Sequence, residues 1–376
     1  MLMSQVFFAC LLLSFVSIAQ SSPRPDLPPE ALAVLVNEQD PQSLAVAEYY
    51  KKTYDLADKN IIKLSFKKTN EIVYEDFRIL AVGAEAMLPQ GIEALAISWT
   101  QPYRVTFEKN SCAVSITSAF SFNDQIKKYC EQNNNYRSLG RKLFERIAGP
   151  SNPRLTFFEN PLYEHSIRYP YSKFQLRPSM MLAGRSVSEV KKLIDRGHAS
   201  RKLSVKGDLH FVLTRDKVRT KIRAADFEEF AEHWINTSLD RVTLTQAPEN
   251  PDDIDFLVSE ENIMFYFIGR QTVPHLSTNT FLPGAVGDHL TSFGGMLFDL
   301  HSQDTIFDWL EAGATGSFGT VIEPYGLAER FPKASILVRS YLSGETLIQA
   351  YWKSVSDPML GLFVGDPLAK PYGIRD

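Results

Sequence analysis

Several things are scarce in this chain of 376 residues, and each scarcity narrows its function. The net charge is only −4, so the overall balance gives no reason to expect nucleic acid or an anionic membrane as a partner. Small basic clusters at Lys191-Lys192 and from Arg215 to Arg223 read as solvated faces. No His/Cys/Asp cluster has zinc-like spacing and no loop carries EF-hand ligands, so neither a metal nor a cofactor is expected. His275, His289 and His301 have no spacing that requires an ion. Phosphate-loop and dinucleotide fingerprints are missing. So are internal repeats, low-complexity tracts and coiled coils. Beyond the N terminus no run nears the roughly eighteen apolar residues of a helical membrane span. What is present, 44% hydrophobic and 22% charged residues, is the ordinary composition of a globular chain with a sizeable core.

The N terminus stands apart. Val6 to Ile18 (VFFACLLLSFVSI) is apolar but too short for a comfortable span. Ser17 and Ala19 are the small residues that precede signal-peptidase cleavage, which places the cut after Ala19. Residues 1–19 therefore read as a signal peptide and 20–30 as an extended Ser/Pro-rich leader. The n-region has no Lys or Arg, which leaves an uncleaved anchor as the alternative. The mature protein is expected in the periplasm or secreted, without a membrane span, meeting an envelope or extracellular partner. Export also changes the cysteines. With Cys10 removed, Cys112 and Cys130 are an even pair in an oxidising compartment. A bond between them would stabilise by about 3 kcal/mol; two buried thiols are the alternative.

Hydrophobic patterning predicts a wound α/β fold, a mostly parallel sheet with helices on both faces. Leu32–Val36, Ile61–Phe66 and Ala94–Thr100 read as strands, alternating with helices over 44–54 (capped by Ser43) and 74–87. From 101 to 178 the pattern weakens into an irregular insertion, the kind of excursion that often covers a site. Strands follow at 175–182 and 209–214, with helices from Ser186 to about Gly197 and over 225–234. The chain divides into halves at 31–200 and 201–376. The second half continues with a buried strand at 262–268, a glycine-rich loop at 283–295, a helix near 304–311, a strand at 317–322, a helix over 344–354 and a closing strand at 361–364.

That loop, PGAVGDHLTSFGG, carries the chemistry. Asp288-His289 with Ser292 or Thr291 invites a hydrolase reading: an imidazole base, an acid to orient it, a hydroxyl nucleophile. Consecutive residues rarely face one way, so the acid is better sought in Asp366 or Glu323 at other strand ends. The favoured alternative has Asp288 and His289 bonded to backbone groups of a tight turn. Gly294 and Gly295, just before a helical stretch, offer N–H groups to an anion or oxyanion. Arg104, Arg270, Glu323 and Tyr325 lie just past predicted strands, where open α/β sheets place ligands.

In combination, LAVLVNEQDPQSLAVAEYY (32–50), TQPYR (100–104), RPSMMLAGRSVSEVKKLIDRG, GDHLTSFGG, AGATGSFGTVIEPY and VGDPLAKPYG resemble an uncharacterised family of exported bacterial proteins found beside exosortase (PEP-CTERM) sorting systems. The family commonly has RLDG where this chain has Met180 to Gly184, so one acid is missing. The order of elements in the last third also resembles gingipain-type cysteine peptidases, which implies a caspase-like C-terminal half. There a His-Gly follows one strand and a Cys the next; here Gly269-Arg270 and Ser292-Phe293 stand at those places, so the resemblance implies a missing dyad. The first expectation is therefore a non-catalytic protein binding an unidentified ligand through loops 99–104, 269–275 and 284–295. A hydrolase is the second, and a purely structural envelope component without a concave pocket the third.

Overall fold

The computed structural model describes residues 26–108, 111–133, 157–202, 206–235, 238–298 and 302–373. The expected signal peptide and its cleavage point, Cys10 and His301 lie outside those residues.

The unbroken apolar run at the start becomes strand β1 (Leu32–Asn37), buried on both faces. Helix α1 (Pro41–Tyr54) starts earlier than Ser43 would set it, because Asp40 accepts from Gln42 N and Pro41 fills the first turn. Ser43 instead lies inside, accepting from Asn37 N at 2.9 Å and sharing a 2.8 Å bond with the Ser98 hydroxyl. After β2 (Ile61–Leu64) and β3 (Glu71–Val73) comes α2 (Tyr74–Met87), which matches the expected helix residue for residue. Strand β4 (Ala94–Ile97) closes the first β-α-β-α-β run.

Of the stretch expected to be an irregular insertion, 109–110 and 134–156 lie outside the described residues; the rest carries short elements. β5 (Arg104–Thr106) and β6 (Ala113–Ser115) join β3 in a small three-stranded sheet. α3 (Ile116–Phe122) is buried along its whole length, which is why it has no amphipathic stripe to read. α4 (Gln125–Gln132) follows, and the Cys112–Cys130 disulfide, with Cα atoms 5.5 Å apart, ties it back to the small sheet. α5 (Pro170–Phe174) leads to β7 (Ser179–Met181).

α6 (Val187–Lys202) runs through Gly197 rather than ending there. That glycine is a close approach and not a stop signal: a Cβ on it would lie 2.0 Å from Asp366 Oδ2. β8 (Asp208–Val212), α7 (Lys217–Glu232), the edge strand β9 (Arg241–Thr245), which the patterning missed, and β10 (Ile263–Ile268) come next. β11 (Phe281–His289) takes up most of what the glycines had marked as a loop. The glycine at 287 serves packing, since a Cβ there would meet the Trp309 ring at 2.1 Å. α8 (Ile306–Ala312), β12 (Gly316–Thr320), α9 (Ala334–Leu342), α10 (Leu347–Ser354) and β13 (Gly361–Gly365) complete the chain.

Ten strands form one mostly parallel sheet in the order β2-β1-β4-β7-β13-β12-β11-β10-β8-β9. Helices cover both faces, as alternation along β11 makes plain: Gly287 packs on Trp309 of α8, and its neighbour Asp288 meets Arg223 of α7. The closing strand is not at an edge. β13 lies inside the sheet and runs antiparallel to β12, with Gly361 opposite Thr320 and Gly365 opposite Gly316. One cluster of buried apolar side chains runs through the fold from Leu27 to Tyr372 and includes Trp99, Trp309 and Trp352.

Candidate functional site

The C-terminal ends of β10, β11 and β12 lie side by side, because Ile268 pairs with His289 and Val286 with Gly316. Open α/β sheets place ligands at such ends. Ser292, Thr291, Glu323, Tyr325 and Arg270 all follow these strands.

His289 ends β11 and is 2% exposed. Its Nδ1 accepts from Trp309 Nε1 at 2.7 Å. An indole nitrogen can only donate, so the imidazole proton sits on Nε2, which donates to Asp304 O at 3.0 Å. Burial is the largest influence on the ring and lowers its pKa from 6.5 to about 4, against the opposing pull of the Asp304 carbonyl. His289 is a neutral imidazole with both nitrogens engaged. It does not hydrogen-bond to Ser292, whose hydroxyl donates to Glu323 Oε1 at 3.2 Å. The same Glu323 oxygen accepts from Tyr325 N at 2.9 Å. The base–nucleophile contact that a Ser292–His289 hydrolase needs is thus replaced by two separate sets of bonds.

Asp288 does not orient the imidazole either. Its carboxylate is fully buried and pairs with Arg223, whose guanidinium also donates to Ile268 O at 3.1 Å and Asp288 O at 3.3 Å. Burial raises the Asp288 pKa, and the arginine beside it works the other way. Arg223 is a correction to the solvated-face reading of the basic cluster. It shares one face of α7 with Phe227 and Phe230, at spacings of four and seven, and that periodicity was available in the sequence.

The loop after β11 is held by side chains that the sequence did not single out. Gln303 Oε1 accepts from the Thr291 hydroxyl and, at 3.1 Å, from Phe293 N. The Thr320 hydroxyl donates to Ser292 O at 2.8 Å. Gly294 and Gly295 pack on β12, where a Cβ on Gly295 would come within 2.5 Å of Gly319 O. Gly295 N already donates to Thr320 O at 3.1 Å, and α8 does not begin until Ile306. The expected anion cradle at a helix start is therefore not formed by this pair.

Arg270 leaves the end of β10 toward Asp255, with which it pairs, and its Nε donates to Thr272 O at 2.7 Å. The buried Asp255 also accepts from Arg215 N at 3.0 Å. Arg104 does reach the edge: Nη1 donates to Val321 O at 3.2 Å, and Nε to Glu71 at 2.9 Å. Asp366 does not. Because β13 runs against β12, its last residue lies where β12 begins, at the opposite edge from Ser292. There Asp366 accepts from the hydroxyls of Tyr54 at 2.6 Å and Tyr50 at 3.0 Å, and from Leu368 N at 3.0 Å. Burial outweighs these donors and lifts its pKa from 3.8 to about 7.

Beside this edge an open groove of about 390 Å³ runs between α7 and the turn before α9. Leu290 and Arg223 form its inner wall; Asp226, Glu229, Glu329 and Lys333 stand around it. Lys333 lies 3.7 Å from Glu164, and Asp226 accepts from Ser335 N at 3.1 Å. No helix among the described residues is long and apolar enough to cross a membrane.

No family model and no curated protein matches this chain. Among solved structures, the chain is similar to one described as "Structure of Protease", at 11% sequence identity and a TM-score of 0.48, over 93% of this chain and 80% of that one.

Proposed function

We propose that this is an exported, non-catalytic binding protein of the cell envelope, whose ligand meets the loops that follow β10, β11 and β12. The observation that carries the reading is His289: a neutral imidazole bonded through both nitrogens to Trp309 and Asp304 has no lone pair to offer a nucleophile. The peptidase resemblance leads to the same place. Arg270 and Ser292 follow the adjacent strands β10 and β11, the positions where the resemblance asks for His and Cys. The groove beside Leu290 favours binding over a purely structural role. Its three carboxylates face two cations that are already paired, which suits a ligand presenting a basic group. The Cys112–Cys130 bond supports export, since such bonds persist in oxidising compartments.

Labelling the purified protein with serine- and cysteine-reactive probes, beside His289→Ala, tests the reading. The expected result is no adduct at Ser292 in either protein. An adduct at Ser292 that disappears in His289→Ala would establish the hydrolase instead.

A further inference from the structure

A second polar cluster lies at the opposite edge of the sheet from Ser292, where β8 and β10 begin. Asp208 and His210 are two apart on β8 and so project from one face. Glu260 reaches them from the loop before β10. One ligand-capable atom from each of the three lies within 4.8 Å of the other two.

His210 makes this more than an acidic patch. It is 2% exposed, and its Nδ1 lies 2.9 Å from Thr243 Oγ1 on β9. Thr243 Oγ1 also lies 3.4 Å from Leu209 O; when its hydroxyl proton goes to that carbonyl, its oxygen accepts from Nδ1–H. In that tautomer Nε2 carries the lone pair; it has no hydrogen-bond partner among the described residues and lies 4.0 Å from Glu260 Oε1. The Glu260 oxygen 4.0 Å from it is paired with the Arg241 guanidinium, so the cluster already draws a cation. An imidazole fixed through one nitrogen, with the other aimed at carboxylates, is how metal-ligating histidines are held.

We propose that Asp208, His210 and Glu260 bind a divalent transition ion, Zn²⁺ fitting best, through Nε2 and one oxygen of each acid. One nitrogen and two oxygen donors suit such an ion, with a fourth position left for water. Tetrahedral zinc sets neighbouring donors about 3.4 Å apart, so Glu260 must close on His210 by roughly 0.6 Å. It sits on a loop with its side chain 30% exposed, so that movement is open to it. Arg241 is the competitor: it donates to Asp208 Oδ2 at 3.1 and 2.7 Å and also pairs with Glu260. Its side chain is 51% exposed and can swing out as an ion enters. The ion would then clamp β8 to the loop before β10, beside the edge strand β9.

Titrating ZnCl₂ into the chelator-treated, tag-free protein by calorimetry at pH 7 tests this. The expected result is a single site, weakened about ten-fold or more in His210→Ala. Arg241→Gln, a half-exposed change that spares the fold, should bind more tightly than wild type because the competing cation is gone. Absence of uptake by wild type, equal affinity in folded His210→Ala, or affinity in Arg241→Gln no higher than wild type would each overturn the proposal.

Discussion

Replacing Asp366 with asparagine tests how buried groups set the pH response of this fold. In the folded chain the carboxyl holds its proton up to about pH 7, against 3.8 for the exposed group. Between those values the folded state binds a proton that the unfolded chain has released, so stability falls as pH rises. At about 1.36 kcal/mol per unit, the loss across the window is about 4 kcal/mol. His289 has the opposite sign. Its pKa falls from 6.5 to about 4 on folding, so on acidification the unfolded chain takes up the proton first. Stability from this group is present above pH 6.5 and is lost toward pH 4, by about 3 kcal/mol. The two contributions nearly cancel in wild type, and either single replacement uncovers the other. Guanidinium unfolding followed by tryptophan fluorescence, at half-unit steps from pH 4 to 8 with the disulfide intact, reads both. The wild-type minus Asp366→Asn difference should fall by about 4 kcal/mol from pH 4 to 7, and the difference for His289→Gln should rise by about 3 kcal/mol. Subtraction removes every titrating group common to both proteins. A flat difference curve for Asp366→Asn would refute the reasoning, because the tyrosine hydroxyls and Leu368 N would then be keeping the carboxylate ionised.

Two further substitutions probe the packing that frames the edge. Arg223→Leu leaves Asp288 buried without its counterion and should cost about 3–5 kcal/mol, most of it recovered in the double variant with Asp288→Asn; unfolding midpoints of the three proteins check this. Gly197→Ala drives a methyl into Asp366 and should lower stability by about 1–3 kcal/mol or more; a midpoint unchanged from wild type would mean that α6 can move away without cost.

Continuous apolar runs made β1, β4 and β10 legible, because strands buried on both faces leave no alternation to obscure them. α2 was equally clear, its buried Tyr74, Phe77, Ala81 and Ala84 repeating at helical spacing. Glycine misled the reading twice. At 287 and 197 it predicts a loop and a helix stop, yet both positions are close approaches, to Trp309 and to Asp366. A sequence records that a Cβ is absent, not which neighbour requires its absence. The direction of β13 was also hidden, since nothing local distinguishes an antiparallel closing strand, and with it went the expected company of Asp366 and Ser292. Gathering of Ser292, Glu323 and Tyr325 at one edge was foreseeable from strand ends alone. The partners of His289 were not, for Trp309 and Asp304 lie 20 and 15 residues further along the chain.

The imidazole of His289 is where the account is most directly exposed. Long-range ¹H–¹⁵N correlation spectra of histidine-labelled protein report the protonation and tautomer of each ring across a pH series. The prediction is one neutral ring, protonated at Nε2, that does not titrate between pH 8 and 5. A His289 signal that titrates near 6.5, or carries its proton on Nδ1, would mean that Trp309 and Asp304 do not hold it, and would restore a base beside Ser292.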